Sequence, residues 1–159
     1  MEYQVQAIPA RTLAGFHMVG PWEHTVKQGF EQLSLWVNSQ KYPAQEWIAV
    51  YFDNPQTTPP EKLRCDTMVT VPQGFTLPPN SEGVICTRLD GGLFAVARAR
   101  VVNHDFTTPW LDFFALLEAD TQYQLRECPC FEIYLSDGAD GVWDIDMYIG
   151  VEEVRVSAV

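Results

Sequence analysis

The chain has 159 residues, of which 47% are hydrophobic and 13% aromatic, so it can bury the core of a single compact domain. Its formal net charge of −11 argues against direct binding to nucleic acid or to an anionic membrane surface, since both need clustered Lys and Arg. The charge favours basic partners, either a cationic small molecule or the DNA-binding surface of another protein, although acidity also serves solubility alone.

The N-terminus and the cysteines indicate the compartment. No apolar run approaches the ~20 residues that span a bilayer, and Met1-Glu2-Tyr3-Gln4 lacks the features of a signal peptide. We therefore expect a cytoplasmic protein whose cysteines are mostly buried thiols without a disulfide. The three histidines have no metal-like spacing, so we predict neither a metal site nor a cofactor. The cysteines are Cys65, Cys86, Cys128 and Cys130.

The first half of the chain predicts two strands, a helix and two further strands. Alternating apolar residues favour strands over Tyr3–Ile8 and Arg11–Val19. Pro21 suits the first turn of an amphipathic helix that ends near Asn38. The helix repeats apolar residues at Val26, Phe30, Leu33 and Val37. Strands follow over Trp47–Asp53 and Cys65–Val71, and the proline-rich segment Pro72–Asn80 reads as a surface connection.

The second half predicts a hairpin, a helix and two strands. Gly83–Leu89 and Leu93–Val101 flank Asp90-Gly91-Gly92, a sequence typical of a tight β-turn. Thr108 is the expected N-cap and Pro109 the first residue of a helix that ends near Asp120. Two alternating strands joined by a short Gly-containing loop occupy Cys130–Ile149.

The two halves repeat one order of elements: a strand, a helix opened by Pro-Trp, and a hairpin. Ile48–Asn54 aligns by eye with Phe131–Asp137, and Asp66–Val69 with Asp144–Met147. We predict a single domain over 1–159 with internal repeats of about 3–72 and 82–154. The predicted fold class is α+β, with duplicated β-α-β-β units in pseudo-two-fold symmetry and helices on one face of an antiparallel sheet.

Glu132 is the position most suggestive of function, because it is an acid in the middle of an apolar strand. We expect the helices to cover the apolar strand faces, which are Ile48, Val50 and Phe52 in one half and Phe131, Ile133 and Leu135 in the other. An acidic and aromatic face would remain, carrying Tyr51, Asp66, Met68, Glu132, Tyr134, Asp144, Asp146 and Tyr148. Where the units meet, this face could form a groove for a planar cation. The simpler interpretation is a solvated sheet face.

Several ordered blocks of sequence carry a resemblance to a known family. The blocks are Ala14–Glu23, Val50–Pro55, Glu61–Thr67, Asn80–Ile85 and Pro129–Leu135. With them the chain resembles the DNA gyrase inhibitors of enterobacteria, within the GyrI-like small-molecule-binding domain superfamily. The resemblance implies a duplicated β-α-β-β fold, shared with the effector-binding domains of several transcription activators. It also implies a monomeric cytoplasmic protein that binds DNA gyrase, inhibits its supercoiling and protects cells from gyrase poisons and other DNA-damaging agents.

The same resemblance bears on Glu132. In the wider superfamily a pocket acid on the penultimate strand contacts cationic ligands, and Glu132 occupies the matching strand position. Some relatives hydrolyse reactive cyclopropane-containing compounds with a pocket acid and aromatic residues. This chain has Glu132 and Tyr134 but no recognisable full catalytic set.

Three functions follow as alternatives. The first is inhibition of gyrase by protein–protein contact without catalysis, with the turn at Asp90, Gly91 and Gly92 as the expected contact patch, although the same residues also suit a plain turn. The second is a binding module in which Glu132, Tyr134, Tyr51 and Trp143 hold a cationic planar compound. The third is a hydrolase using Glu132 as general acid or base, for which no nucleophile motif is recognisable. Residues 1–10 are too few for a helix-turn-helix, which argues against a transcription factor.

Overall fold

A computed structural model describes residues 1–40 and 46–154. The strands are β1 (Tyr3–Ile8), β2 (Arg11–Val19), β3 (Trp47–Tyr51), β4 (Arg64–Val71), β5 (Ile85–Leu89), β6 (Gly92–Val101), β7 (Tyr123–Leu125), β8 (Cys130–Tyr134) and β9 (Trp143–Glu153), and the helices are α1 (Trp22–Gln40) and α2 (Thr107–Glu118). The predicted strands and both helices are confirmed, with ends that differ by a few residues. The short strand β7 and a 3₁₀ turn at Pro60–Lys62 are additional to the prediction.

The chain folds into two compact units, Pro9–Gly91 and Met1–Ile8 with Gly92–Val159. In the first unit the strands lie in the order β3-β4-β2-β5 and pair antiparallel. In the second the order is β1-β6-β9-β8, again antiparallel, and β7 also pairs with β9. Each unit has one helix, so the prediction of an α+β fold with antiparallel strands is confirmed. Among the described residues no helix is long and apolar enough to cross a membrane.

The predicted hairpin between β5 and β6 is wrong. β5 pairs with β2, whereas β6 pairs with β1 and β9. Of the two adjacent glycines, only Gly92 has a positive φ, 138°, so the two consecutive left-handed residues of a type I′ turn are not formed. The Asp-Gly-Gly sequence favours a turn only locally. β6 is instead paired along both of its edges, with β1 and with β9 over its long ladder.

In the unit Pro9–Gly91 the helix covers a different sheet face from the one predicted. Leu33 and Val37 of α1 pack with Ala14 and Val69. Strand residues that pair directly share a face, and Ala49 pairs with Thr67 while Trp47 pairs with Val69. Ala49 and Tyr51 therefore lie on the helix side, and Ile48 and Val50 lie on the opposite side. The expectation that Ile48, Val50 and Phe52 face the helix is wrong.

The same correction applies to the unit that contains α2. Phe113 and Leu117 of α2 pack in one cluster with Ala97, Ile145 and Met147. Glu132 pairs with Met147 and Tyr134 with Ile145, so both lie on the helix side of the sheet. Phe131 and Ile133 lie on the opposite face and are nonetheless buried, at 0% and 5% exposure. Because both faces are buried, the apolar alternation of β8 does not reveal which face the helix covers.

The start of α2 also differs from its prediction. The helix begins at Thr107 rather than after a Thr108 N-cap. Instead, the carboxylate of Asp105 accepts hydrogen bonds from the backbone N–H of Thr108 at 3.0 Å and from its hydroxyl at 2.6 Å. An acid at the N-terminus of a helix satisfies its unpaired N–H groups and interacts favourably with its dipole.

Candidate functional site

Glu132 is fully buried on the side of its sheet that α2 covers. Its exposed fraction is 0%, like that of Met147 opposite it on β9. The interpretation of Glu132 as a solvated residue on an open face is therefore wrong. The predicted acidic and aromatic face is also divided, since Tyr51, Glu132 and Tyr134 lie on the helix sides of their sheets. Its other members, Asp66, Met68, Asp144, Asp146 and Tyr148, lie on the opposite faces.

Aromatic side chains surround the same end of this sheet face. Phe106, just before α2, lies edge-on to Tyr134 with ring centroids 6.2 Å apart and meets Trp143 at 5.6 Å. His104 lies 5.0 Å from the Trp143 ring. Tyr134 follows Glu132 by two residues and so projects on the same side of β8. Two of the four predicted ligand-binding residues, Tyr134 and Trp143, therefore belong to one aromatic group with Phe106.

The buried carboxyl of Glu132 shares its strand face with the aromatic ring of Tyr134, and this combination suits the binding of a cation. A carboxylate removed from water is costly unless other groups or a ligand stabilise its charge, and aromatic faces attract cations. The arrangement can therefore favour a cation that also presents apolar surface. Because Glu132 has no solvent-exposed surface, such a ligand must displace neighbouring side chains to contact the carboxyl.

Trp143 is held in place from its other side by Gly138. A Cβ at residue 138 would lie 2.1 Å from the indole, and Gly138 has a φ of 69°. The loop between β8 and β9 is thereby fitted to the ring. Tyr51, the fourth predicted ligand residue, lies in the unit Pro9–Gly91, where its ring meets Trp22 at 4.7 Å.

In the predicted contact patch Asp90 is exposed, whereas Gly92 is needed for the local backbone conformation and packing. Asp90 accepts a hydrogen bond from Arg88 at 3.2 Å, and both side chains are largely exposed. A Cβ at residue 92 would lie 2.9 Å from the Arg126 guanidinium, which also donates to the Leu93 carbonyl at 3.2 Å. Gly91 is half-buried. The Gly92 position is thus explained by its φ and by Arg126, while Asp90 is open to a partner.

The sequence prediction missed a hydrogen-bonded pair on β2 and β4. Nδ1 of His17 lies 2.6 Å from Oδ1 of Asp66, whose side chain is 6% exposed while that of His17 is 42% exposed. Burial raises the pKa of the Asp66 carboxyl, and the hydrogen bond from His17 opposes that rise. The signal in the sequence was an acid in an apolar strand, the same signal that selected Glu132.

An ion pair, Arg64 with Asp53, borders this hydrogen-bonded pair. Arg64 donates to both carboxylate oxygens of Asp53, at 2.8 and 3.1 Å, and its guanidinium lies 5.8 Å from the centre of the Phe52 ring. The hydrogen bond from Arg64 lowers the pKa of Asp53. Phe52 is 37% exposed and its ring is 6.1 Å from His17. These side chains form a polar surface with one open aromatic ring.

The strand registers show which residue of the other unit corresponds to Asp66. In the predicted alignment Ala49 matches Glu132 and Val50 matches Ile133. Since Val50 pairs with Asp66 and Ile133 pairs with Asp146, Asp66 corresponds to Asp146 and not to Asp144 as predicted. The hydrogen bonds agree, because Phe52 donates to the Arg64 carbonyl as Leu135 does to that of Asp144.

Other candidate sites in the described part of the chain offer less. No group of three or more His, Cys, Asp or Glu residues there is arranged to hold a metal ion. An open depression of about 410 Å³ in the unit Pro9–Gly91 falls in the size range of ligand pockets but contains none of the predicted site residues. Its lining is Phe16, Leu35, Trp36, Ser39, Asn80 and Glu82.

Comparison with known sequences gives full-length matches. A family profile described as GyrI-like small molecule binding domain matches residues 1–152. A DNA gyrase inhibitor of Enterobacter lignolyticus is 61% identical over 95% of this chain and 97% of its own length. The DNA gyrase inhibitors of Cronobacter sakazakii and Escherichia coli are 62% and 59% identical, each over 96% of this chain and 98% of the relative.

Solved structures of low sequence identity share the fold. The C-terminal domain of EcmrR has a TM-score of 0.70 at 11% identity and covers 96% of this chain and 98% of its own. SAV2435 bound to tetraphenylphosphonium has a TM-score of 0.63 at 13% identity, covering 96% and 94%. A hydrolase from Listeria innocua has a TM-score of 0.65 at 8% identity, covering 95% and 92%.

Proposed function

The chain belongs to the GyrI-like small molecule binding domain family, and on that premise we propose that it inhibits the supercoiling activity of DNA gyrase by protein–protein contact. The observation that carries the proposal is the identity of about 60% to DNA gyrase inhibitors over nearly the whole of both chains. Agreement of this extent includes surface positions as well as the core, and an inhibitor acts through its surface.

The distribution of charge supports a basic partner. The segments 1–8 and 92–159 carry thirteen acidic and four basic side chains, so −9 of the net charge of −11 belongs to them. An enzyme that handles DNA must present Lys and Arg surfaces to phosphates. Complementary charge accelerates association and selects among partners. On this proposal the protein acts as a cytoplasmic, monomeric binding protein rather than a catalyst, and protects cells from gyrase poisons.

A supercoiling assay tests the proposal directly. Purified gyrase, relaxed plasmid and ATP are incubated with increasing amounts of the protein, and supercoiling should fall, less steeply at high salt because exposed charges are screened. An unrelated acidic protein of similar net charge is the control for a polyanion effect. Full supercoiling at a large molar excess of this protein and low salt would refute the proposal.

The turn residues Asp90, Gly91 and Gly92 remain our proposed contact patch. Reversing the charge at the exposed Asp90 with Asp90→Lys should weaken inhibition. The matched control is Asp140→Lys, since Asp140 is another exposed aspartate that precedes a glycine. Equal inhibition by the two variants would remove the patch from the proposal and leave inhibition itself in place.

A second candidate function is the binding of a cationic small molecule at Glu132. The buried carboxyl on the same strand face as Tyr134, whose ring meets Phe106, favours it, as does the shared fold of SAV2435, a protein solved with tetraphenylphosphonium. The participation of Tyr51, which lies in the unit Pro9–Gly91, stays a prediction. Tetraphenylphosphonium should quench tryptophan fluorescence, and Glu132→Gln should weaken the quenching while Asp146→Asn, on the other sheet face, leaves it unchanged. Equal quenching of all three proteins would exclude Glu132 as the ligand's partner.

A further inference from the structure

The outer face of α2 carries exposed apolar side chains. Leu111 is 53% and Leu116 37% exposed. Leu111, Ala115 and Glu118 follow at i, i+4 and i+7, and Asp112 and Leu116 at i and i+4 form the neighbouring row. All five residues are exposed. The two rows make one surface that we call the α2 outer face: Leu111, Asp112, Ala115, Leu116 and Glu118.

These leucines do not serve the core of the unit. Phe113 and Leu117 are its buried α2 residues, at 0% and 4% exposure. With Trp110 and Phe114 they form the opposite side of the helix and pack in the cluster with the strands. A helix that needed only to cover its sheet would present polar residues outward. The apolar outer row therefore lacks a structural reason within its own unit.

Every formal charge in the sequence segment that carries this face is negative. Residues 102–125 contain no Lys or Arg and four acids, Asp105, Asp112, Glu118 and Asp120. Hydrogen bonds from Thr108 lower the pKa of Asp105, and hydrogen bonds led by that from Tyr3 lower the pKa of Asp120, so both favour the charged form. Asp105 and Asp120, at the two ends of α2, accept hydrogen bonds from backbone N–H groups. Asp112 and Glu118 are exposed on the face itself.

The corresponding helix of the other unit differs. The exposed side of α1 carries Lys27 between Glu23 and Glu31, and its large exposed apolar residue is Leu35. Its charges are of both signs, as on an ordinary solvated helix. Both helices expose leucine, but the purely acidic surroundings are a property of α2 and not of the repeat, which makes α1 an internal control.

We infer that the α2 outer face is a docking surface for a basic, apolar-lined groove on gyrase, an inference that rests on the proposed function. An amphipathic helix commonly binds by placing an apolar row into a groove, and a few central apolar anchors carry most of the energy of such contacts. The acids around Leu111 and Leu116 require Lys or Arg at the rim of that groove.

The same charge excludes the other occupants of an apolar helix face. A second copy of this chain would bring two acidic rims together, and like charges across an interface cost several kcal/mol. An anionic lipid surface and nucleic acid are repelled for the same reason. A basic protein surface is the occupant that remains.

The experiment compares variants on the two helices. Purified gyrase is tested for binding to the immobilised protein and for supercoiling, with the α2 variants Leu111→Ser/Leu116→Ser and Asp112→Lys against the α1 controls Leu35→Ser and Glu31→Lys. The α2 variants should bind gyrase about tenfold more weakly, which corresponds to about 1.4 kcal/mol. The α1 controls should change binding less than about twofold. Thermal melting confirms that each variant is folded, since substitutions at exposed positions change stability little.

The outcomes separate this inference from the function on which it rests. If the wild-type protein inhibits gyrase and the α2 variants inhibit equally well, the docking surface is refuted and the proposed function stands. Equal weakening by Asp112→Lys and Glu31→Lys also refutes it, because total charge then explains the effect. If the wild-type protein neither binds nor inhibits gyrase, both proposals fall. A concentration-dependent dimer that Leu111→Ser/Leu116→Ser abolishes would assign the face to self-association and overturn the inference.

Discussion

His17 and Asp66 occupy in one unit the positions that Arg98 and Asp146 occupy in the other. His17 pairs with Asp66 across β2 and β4, and Arg98 pairs with Asp146 across β6 and β9. The distances are 2.6 Å for His17 Nδ1 to Asp66 Oδ1 and 3.0 Å for Arg98 Nε to Asp146 Oδ1. The strand position that holds an exposed, permanently charged arginine in one unit therefore holds a histidine hydrogen-bonded to a buried carboxyl in the other.

The contribution of Asp66 to the free energy of unfolding should fall as the pH rises through the range in which carboxyl groups titrate. Burial raises its pKa above the ordinary value of 3.8, so the folded state holds this proton more tightly than the unfolded chain does. The resulting stability is fully present below the ordinary pKa and is lost as pH rises through the raised one. The difference in unfolding free energy between wild type and Asp66→Asn should therefore decrease over that window. Urea denaturation at about pH 3 to 7, followed by tryptophan fluorescence, measures it.

Asp53 supplies a control, because its contribution to the free energy of unfolding should change with pH in the opposite direction. The hydrogen bond from Arg64 lowers the pKa of Asp53, so its contribution is present above the ordinary carboxyl pKa and is lost as pH falls. The difference between wild type and Asp53→Asn should increase with pH over the carboxyl range. Parallel curves for Asp53→Asn and Asp66→Asn would contradict the assignment of Asp66 as a buried, proton-retaining acid.

The sequence was sufficient for the local elements and insufficient for their faces and partners. Helical spacing and strand alternation identify α1, α2 and most strands because both patterns arise from backbone geometry. The side of β8 that carries Glu132 is not encoded in that alternation, since Phe131 and Glu132 are both fully buried. The pairing of β5 with β2 is a long-range choice that the local turn chemistry at Gly91 and Gly92 does not report.

The same limit applies to the candidate site. The strand position of Glu132 was evident as an acid in an apolar run, and Tyr134 followed from its spacing. The contact of Trp143 with Phe106 depends on how the segment before α2 folds over the sheet, which the sequence does not specify. The pair of His17 and Asp66 joins strands 49 residues apart, and only the register brings them together.

The hydroxyl of Tyr3 should ionise at a higher pH than that of an ordinary tyrosine. Its hydroxyl donates to the Asp120 carboxylate, and that hydrogen bond, with burial, raises the pKa of Tyr3 to about 12. Tyr3→Phe should remove a step near pH 12 from the phenolate absorbance titration, and Asp120→Asn should move that step toward 10. Stability from this pair is lost as pH rises from 10.0 through about 12. An unchanged titration in Tyr3→Phe, with near-ultraviolet circular dichroism showing the fold intact, would contradict the pair.

Cys86 should be the thiol that reacts first with a disulfide reagent. It is exposed, while Cys65 is buried. Burial raises the pKa of Cys130 to about 12, so at pH 8 Cys130 is scarcely present as the reactive thiolate. Cys86→Ser should remove the fastest phase of labelling with Ellman's reagent, and Cys130→Ser should leave it. A fast phase that persists in Cys86→Ser would show that another thiol is accessible.

Gly138 and Gly141 should differ in their tolerance of alanine, although both lie in the loop before β9. Both have positive φ, 69° and 79°, which costs an L-residue about 1–2 kcal/mol. At Gly141 a Cβ would meet no heavy atom within 4 Å, whereas at Gly138 it would overlap the Trp143 indole. Displacing that ring adds about 1–3 kcal/mol. Gly138→Ala should therefore destabilise the protein by about 2–5 kcal/mol in urea denaturation and alter Trp143 fluorescence, while Gly141→Ala loses only the backbone cost. Equal losses in the two variants would mean that Trp143 is not held by this loop.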